Sequence, residues 1–157
     1  DEARALVGEI PAGATVKLQK DPDDSAAYYV VDLVDLEQVA PALTMPDGFL
    51  SITDFGAVPN DSKDDGDAIR ACISAARAQK KGVWIPAGTF ESALSPFEVA
   101  DVTIRGAGMW YSVLHGLNAR FVCTGSNCQF YDFSILGETI LRDDVIGARL
   151  PGFKLEL

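Results

Sequence analysis

SITDFGAVPNDSKDDGDAIRACISAARAQKKGVWIPAGTF, residues 51–90, decides the fold. It reads as a short strand, an acidic loop, one amphipathic helix, and a strand that runs into a Pro-Ala-Gly turn. Ala68, Ile69, Cys72, Ile73 and Ala76 recur at the spacing of one helical face, while Arg70, Ser74, Arg77 and Lys80 fall on other sides. Asp64, Asp65 and Asp67 gather at the start, where carboxylates accept from free amides and oppose the helix dipole. Lys80 and Lys81 close the end, and Gly82 is the expected C′ residue. The spacing predicts a helix over 65–80. Its apolar face is made of small residues, so it should lie close against a flat surface supplied by the strands that follow.

Outward from the helix, short apolar runs return. Val83-Trp84-Ile85-Pro86, Val102-Thr103-Ile104-Arg105-Gly106 and Phe133-Ser134-Ile135-Leu136-Gly137 each end in a turn, at separations near the roughly 20–30 residue period of a solenoid coil. Phe97-Glu98-Val99, Ser112-Val113-Leu114 and Phe121-Val122 are short strands between them and supply other sides of each coil. Upstream, residues 26–39 (AAYYVVDLVDLEQV) alternate and are rich in β-branched and aromatic residues, as a strand is. Pro46-Asp47-Gly48 is a turn signal.

The chain has 157 residues, is 48% hydrophobic and carries a formal charge of −10. That suits a folded domain with many turns. The acidic balance argues against nucleic acid and anionic membrane surfaces as partners, since both attract basic patches. No stretch approaches the roughly 20 apolar residues of a membrane span. Asp1-Glu2-Ala3-Arg4 does not read as a secretory leader.

The D-F-G-A of Asp54–Ala57, the Asp67-Ala68-Ile69 start of the helix and the I-P-A-G-T-F of Ile85–Phe90 resemble the opening of right-handed parallel β-helices of the pectate-lyase-like superfamily. There a helix plugs the N-terminal end of the core. The expected fold is therefore all-β: a partial right-handed parallel β-helix with an N-terminal capping α-helix. A narrower resemblance runs from about Ile10 to Asp144. Val34–Val39, the G-A-G-M-W-Y-S of Gly106–Ser112, Asp132–Glu138 and Arg142-Asp143-Asp144 are similar to the first coils of glycoside hydrolase family 87, the α-1,3-glucanases (mutanases) and mycodextranases. The resemblance implies a secreted hydrolase of α-glucan polysaccharide that acts with inversion. It divides the chain into a small β layer over 1–47, the first coils over 48–144 and a non-family tail over 145–157. The family's catalytic aspartates lie on coils beyond the Arg142-Asp143-Asp144 segment, so none carries over by position, and the chain looks like the N-terminal part of such an enzyme.

Inverting hydrolysis needs an acid and a base carboxyl about 6.5–9.5 Å apart. The local candidates are Asp132, Glu138, Asp143 and Asp144; solvated surface carboxylates are the plainer reading of each. Trp110 and Tyr111 are candidate sugar contacts, because aromatic faces suit the apolar faces of glucose, with coil-to-coil packing as the alternative. Cys123 and Cys128 form either a small disulfide-closed loop or two unlinked thiols, and Cys72 reads as a buried free thiol. No metal site is expected. Lys63 and Cys72 occupy ligand positions of an EF-hand counted from Asp61, and His115 is the single histidine. No cofactor is expected either, since Tyr111 stands where Gly106-Ala107-Gly108 would need a third glycine. A non-catalytic carbohydrate-binding or structural β-helix, and a pectate-lyase-like elimination enzyme, are the alternative functions.

Overall fold

In the computed structural model, residues 6–93, 96–117, 119–137 and 153–155 are described. The chain divides into two compact units, Asp1–Pro41 and Ala42–Leu157.

In the first unit the backbone turns at residues 12–13 and 22–23, closed by bonds from Ala14 N to the Pro11 carbonyl (3.0 Å) and from Asp24 N to the Asp21 carbonyl (3.2 Å). Among the described residues 6–48 there is no strand, so the β layer expected over 1–47 is not formed there. Alternation makes a strand only where a neighbouring chain completes the ladder. Here Tyr28, Val30 and Leu33 are largely exposed instead.

The second unit is built of three parallel sheets. The first contains β1 (Phe49–Ser51), β2 (Gly82–Ile85), β5 (Thr103–Gly106) and β8 (Gln129–Tyr131). The second contains β3 (Gly88–Glu91), β6 (Ser112–His115) and β9 (Ser134–Leu136). The third contains β4 (Phe97–Val99), β7 (Phe121–Cys123) and β10 (Phe153–Leu155). The chain visits each sheet in turn and then returns to the first, so every pairing joins one coil to the next. Val83 pairs with Ile104, Thr89 with Val113, and Phe97 with Phe121.

Inward positions stack in the same register. Leu50, Val83, Ile104 and Phe130 form one column, and Phe90, Leu114 and Ile135 another. Phe121 sits at the centre of an aromatic cluster, with ring centroids 5.4 Å from Phe97, 5.1 Å from Phe130 and 5.7 Å, edge-on, from Phe133. Two expectations shift. The fourth strand of the first sheet is Gln129–Tyr131, whereas the Phe133–Gly137 run supplies β9 (Ser134–Leu136) of the second sheet. A single inward Phe130 between polar-tipped neighbours hid this strand. The stretch after Ser51 is a 3-10 turn, Ile52–Phe55, closed by Gly56 in the left-handed region. In the tail, Phe153–Leu155 pairs with Phe121–Cys123 and extends the third sheet.

The helix forms where the periodicity put it. α1 spans Gly66–Gln79, flanked by Asp65 and Lys80, and buries Ile69, Cys72, Ile73 and Ala76 against β1, β2 and β4. Arg70 reaches over the Phe97 ring at 5.5 Å and pairs with Asp67 at 3.0 Å. Lys80, not Gly82, takes the left-handed closing position, its N–H directed at the Ala76 and Arg77 carbonyls. Gly82 already begins β2.

The acidic loop does more than cap. Asp65 is buried, and its carboxylate does not bond its own helix. It accepts from Val58 N (2.8 Å) and from Glu91 N (3.0 Å), while Asp65 N donates to the Glu91 carbonyl (2.9 Å). Asp64 accepts from Gly66 N (3.3 Å) and Ala93 N (3.0 Å). Asn60 exchanges two bonds with Thr89, at 2.8 and 2.9 Å. The loop thus occupies the edge of β3 as a strand would, leaving fewer open backbone groups there. Among the described residues no helix is long and apolar enough to cross a membrane.

Candidate functional site

The corner where the first sheet turns into the second repeats in each coil and stacks tightly. Ser112, fully buried, ties two corners together. Its hydroxyl accepts from Ala107 N (2.8 Å) and shares its proton between the Ile85 and Pro86 carbonyls (2.8 and 2.9 Å). Gly88 N donates to the Tyr111 carbonyl (2.7 Å), and Gly108 N to the Asp132 carbonyl (2.8 Å). A Cβ on Gly106 would lie 2.4 Å from the Asp132 carbonyl oxygen, so the coils can approach only through glycine.

This corner presents a mixed aromatic and charged surface. Trp84, Arg105 and Tyr131 are aligned by register on one face of the first sheet; Trp84 is buried and Tyr131 is about half exposed. Arg105 Nε donates to Asp132 Oδ2 at 2.7 Å. Asp132 is held with φ 59°, a left-handed conformation that costs a non-glycine residue about 1 kcal/mol or more. The salt bridge and the bond to Gly108 keep it there. Trp110 and Tyr111 lie in the turn between β5 and β6, both half-buried, next to exposed Met109. The Tyr111 ring packs over Gly108. The Tyr111 ring is therefore placed over the glycine whose N–H donates to the Asp132 carbonyl.

A second pair sits on the outer face of the second sheet. His115 Nδ1 lies 2.8 Å from Glu91 Oε2, and the two residues are in register on β3 and β6. Sequence reasoning left His115 without a partner. The signal was present in Phe90-Glu91 and Leu114-His115, where each inward apolar residue is followed by an outward titratable one. Only the register makes them neighbours.

Of the carboxylate candidates, Asp132 is brought into the site. Glu138, Asp143 and Asp144 lie outside the described residues. Asp132 faces Arg105 and Glu91 faces His115, so each has a basic partner. Asp61 accepts from Lys63 N (3.0 Å) and pairs with its ammonium (3.3 Å), so the loop carboxylates are used to shape the loop. Among the described residues no group of three His, Cys, Asp or Glu is placed to hold a metal ion.

Cys123 and Cys128 are joined in a disulfide, with Cα atoms 6.2 Å apart, closing the loop that leads from the second coil to the third. Cys72 is a free, fully buried thiol, and burial pushes its pKa up to about 12. Burial also raises the Asp65 carboxyl above the usual carboxylate value, against the two backbone N–H bonds, which pull it down.

Residues 49–137 match the family described as rhamnogalacturonase A/epimerase, pectate lyase-like. Two solved structures are similar. The catalytic unit of the thermostable family 87 α-1,3-glucanase from Streptomyces thermodiastaticus strain HF3-3 shares 38% identity at a TM-score of 0.57, over 70% of this chain and 20% of that one. The Agl-KA catalytic domain shares 30% identity at a TM-score of 0.58, over 65% of this chain and 20% of that one. The chain thus spans about a fifth of the length of the solved structures it matches. No curated protein matches it significantly.

Proposed function

From a chain that belongs to the rhamnogalacturonase A/epimerase, pectate-lyase-like family, we propose a part of a glycoside hydrolase that acts on α-1,3-glucan by inverting hydrolysis. The observation that carries this reading is the 38% identity to a family 87 α-1,3-glucanase catalytic unit, found together with a structural match over 70% of this chain. In this reading the three sheets are the faces of one right-handed β-helix. Trp110 and Tyr111 contact sugar rings beside the Arg105–Asp132 pair, and the catalytic aspartates lie outside this chain. The protein works outside the cell, a placement favoured by the Cys123–Cys128 disulfide, since such bonds persist in oxidising surroundings.

The experiment is a paired assay on insoluble α-1,3-glucan. This chain should sediment with the polymer, lose much of that binding on Trp110→Ala, and release few or no reducing ends. Efficient release would place the catalytic carboxylates within this chain. Failure to sediment would remove the glucan as ligand.

A further inference from the structure

The pattern Asn-x-Ser/Thr, with x other than proline, marks an acceptor of N-linked saccharide. It occurs once in the sequence, at Asn60-Asp61-Ser62; Asn118 and Asn127 are followed two residues on by Arg120 and Gln129. The motif lies in the loop before α1, with Asn60 and Ser62 both exposed. The two ends of the Asn60 amide have different surroundings. Oδ1 accepts from Thr89 N at 2.9 Å, while Nδ2 makes no hydrogen bond among the described residues. Nδ2 lies beside Gly88, where a Cβ would come 3.5 Å from it, so the glycine leaves the nitrogen open on that side.

The fold accounts for Asn60 but not for Ser62. Asn60 has φ 62°, a left-handed conformation that asparagine tolerates better than most residues, and its two bonds to Thr89 hold the loop on β3. Ser62 has φ 58°, a conformation that strains serine, and its hydroxyl makes no hydrogen bond among the described residues. A glycine would serve this turn without strain. What the hydroxyl does supply is the second determinant of the acceptor pattern, two residues beyond the asparagine.

We propose that Asn60 is an N-glycosylation site, modified as the chain is exported. Nδ2 attacks the anomeric carbon of a saccharide carried on a lipid diphosphate. The bond from that carbon to the diphosphate oxygen breaks, the lipid diphosphate leaves with the electron pair, and one Nδ2 proton passes to a base of the transferase. Only the nitrogen is altered. Oδ1 keeps its lone pairs and goes on accepting from Thr89 N, so the glycan and the loop's hold on β3 coexist on one side chain. The proposal shares with the glucanase reading only the placement outside the cell, and in its test a secretion leader supplies that placement.

The test is to secrete the whole chain from a yeast behind a cleavable leader and weigh it intact by mass spectrometry. The wild type should carry one N-linked glycan, which peptide N-glycosidase removes while converting Asn60 to aspartate. Asn60→Gln should carry none. Ser62→Gly should carry none either, and because it relieves the left-handed strain, a loss of the glycan there is not a loss of fold. Hydrogen exchange at the Thr89 amide should be equally slow with and without the glycan. The proposal is overturned if the secreted wild type carries no N-linked glycan, if the glycan survives in Ser62→Gly, or if its attachment abolishes the protection of Thr89.

Discussion

Asp65 offers the sharpest test of how the cap is held. Its two oxygens accept separately from Val58 N at 2.8 Å and Glu91 N at 3.0 Å, and the residue is 6% exposed. Asp65→Ala leaves both donors buried without an acceptor. Each such loss costs about 1–3 kcal/mol, so the variant should lose about 2–6 kcal/mol. At roughly 2–4 °C per kcal/mol for a chain of this size, Tm should fall by about 4–24 °C. Asp65→Asn keeps the shape but only one acceptor, and it turns an NH₂ toward the other N–H. It should therefore remain destabilised by about 1–3 kcal/mol. Asp67→Ala is the control: this carboxylate is fully exposed and pairs only with Arg70, so its removal should change stability by less than about 0.5 kcal/mol. Thermal melts by circular dichroism read all three, and hydrogen exchange at the Glu91 amide reads the bond directly. If Asp65→Ala melts within about 1 °C of Asp67→Ala, with Glu91 still protected, the reasoning fails.

The same carboxyl sets a pH dependence. Its folded pKa is raised, so its favourable contribution is complete below the ordinary value of 3.8 and is lost as pH rises through its own higher value. The stability advantage of the wild type over Asp65→Asn should therefore shrink from acid toward neutral pH in paired denaturant titrations. Cys72, buried with its pKa pushed up to about 12, should resist iodoacetamide at pH 8 in the folded protein and react once denaturant is added, as mass spectrometry will show. Ser112→Ala removes the 2.8 Å hydroxyl partner of the Ala107 amide, which keeps its 3.2 Å bond to the Ile85 carbonyl, and should cost about 0.5–1.5 kcal/mol in chemical denaturation.

What the sequence made legible is what depends on near neighbours. Ile69, Cys72, Ile73 and Ala76 share a face because of helical geometry alone, and α1 lies within one residue of the span read from them. The inward columns were partly visible because Val83, Ile104 and Phe121 sit in obviously apolar runs. Gln129–Tyr131 was not, since one inward Phe130 between two polar-tipped residues makes a weak pattern. The Glu91–His115 and Arg105–Asp132 pairs join residues a full coil apart, and only the coil length brings them together. Asp65 misled in a different way. Its place before a helix suggested a cap, yet one oxygen serves Val58 in the loop before the helix and the other a strand that follows it. Residues 26–39 show the converse: they have the composition of a strand but pair with no strand among the described residues.

The bonds from Asp64 and Asp65 to Ala93 and Glu91 bridge 29 and 26 residues. A nascent chain emerging from the ribosome cannot seat α1 until the segment through Ala93 is free, because the acceptors come first and the donors last. The helix waits as a marginal, isolated turn-former until the first coil supplies both its floor and its clamps. Cap and first coil are then acquired in a single cooperative event, and each later coil adds to a template already locked at one end.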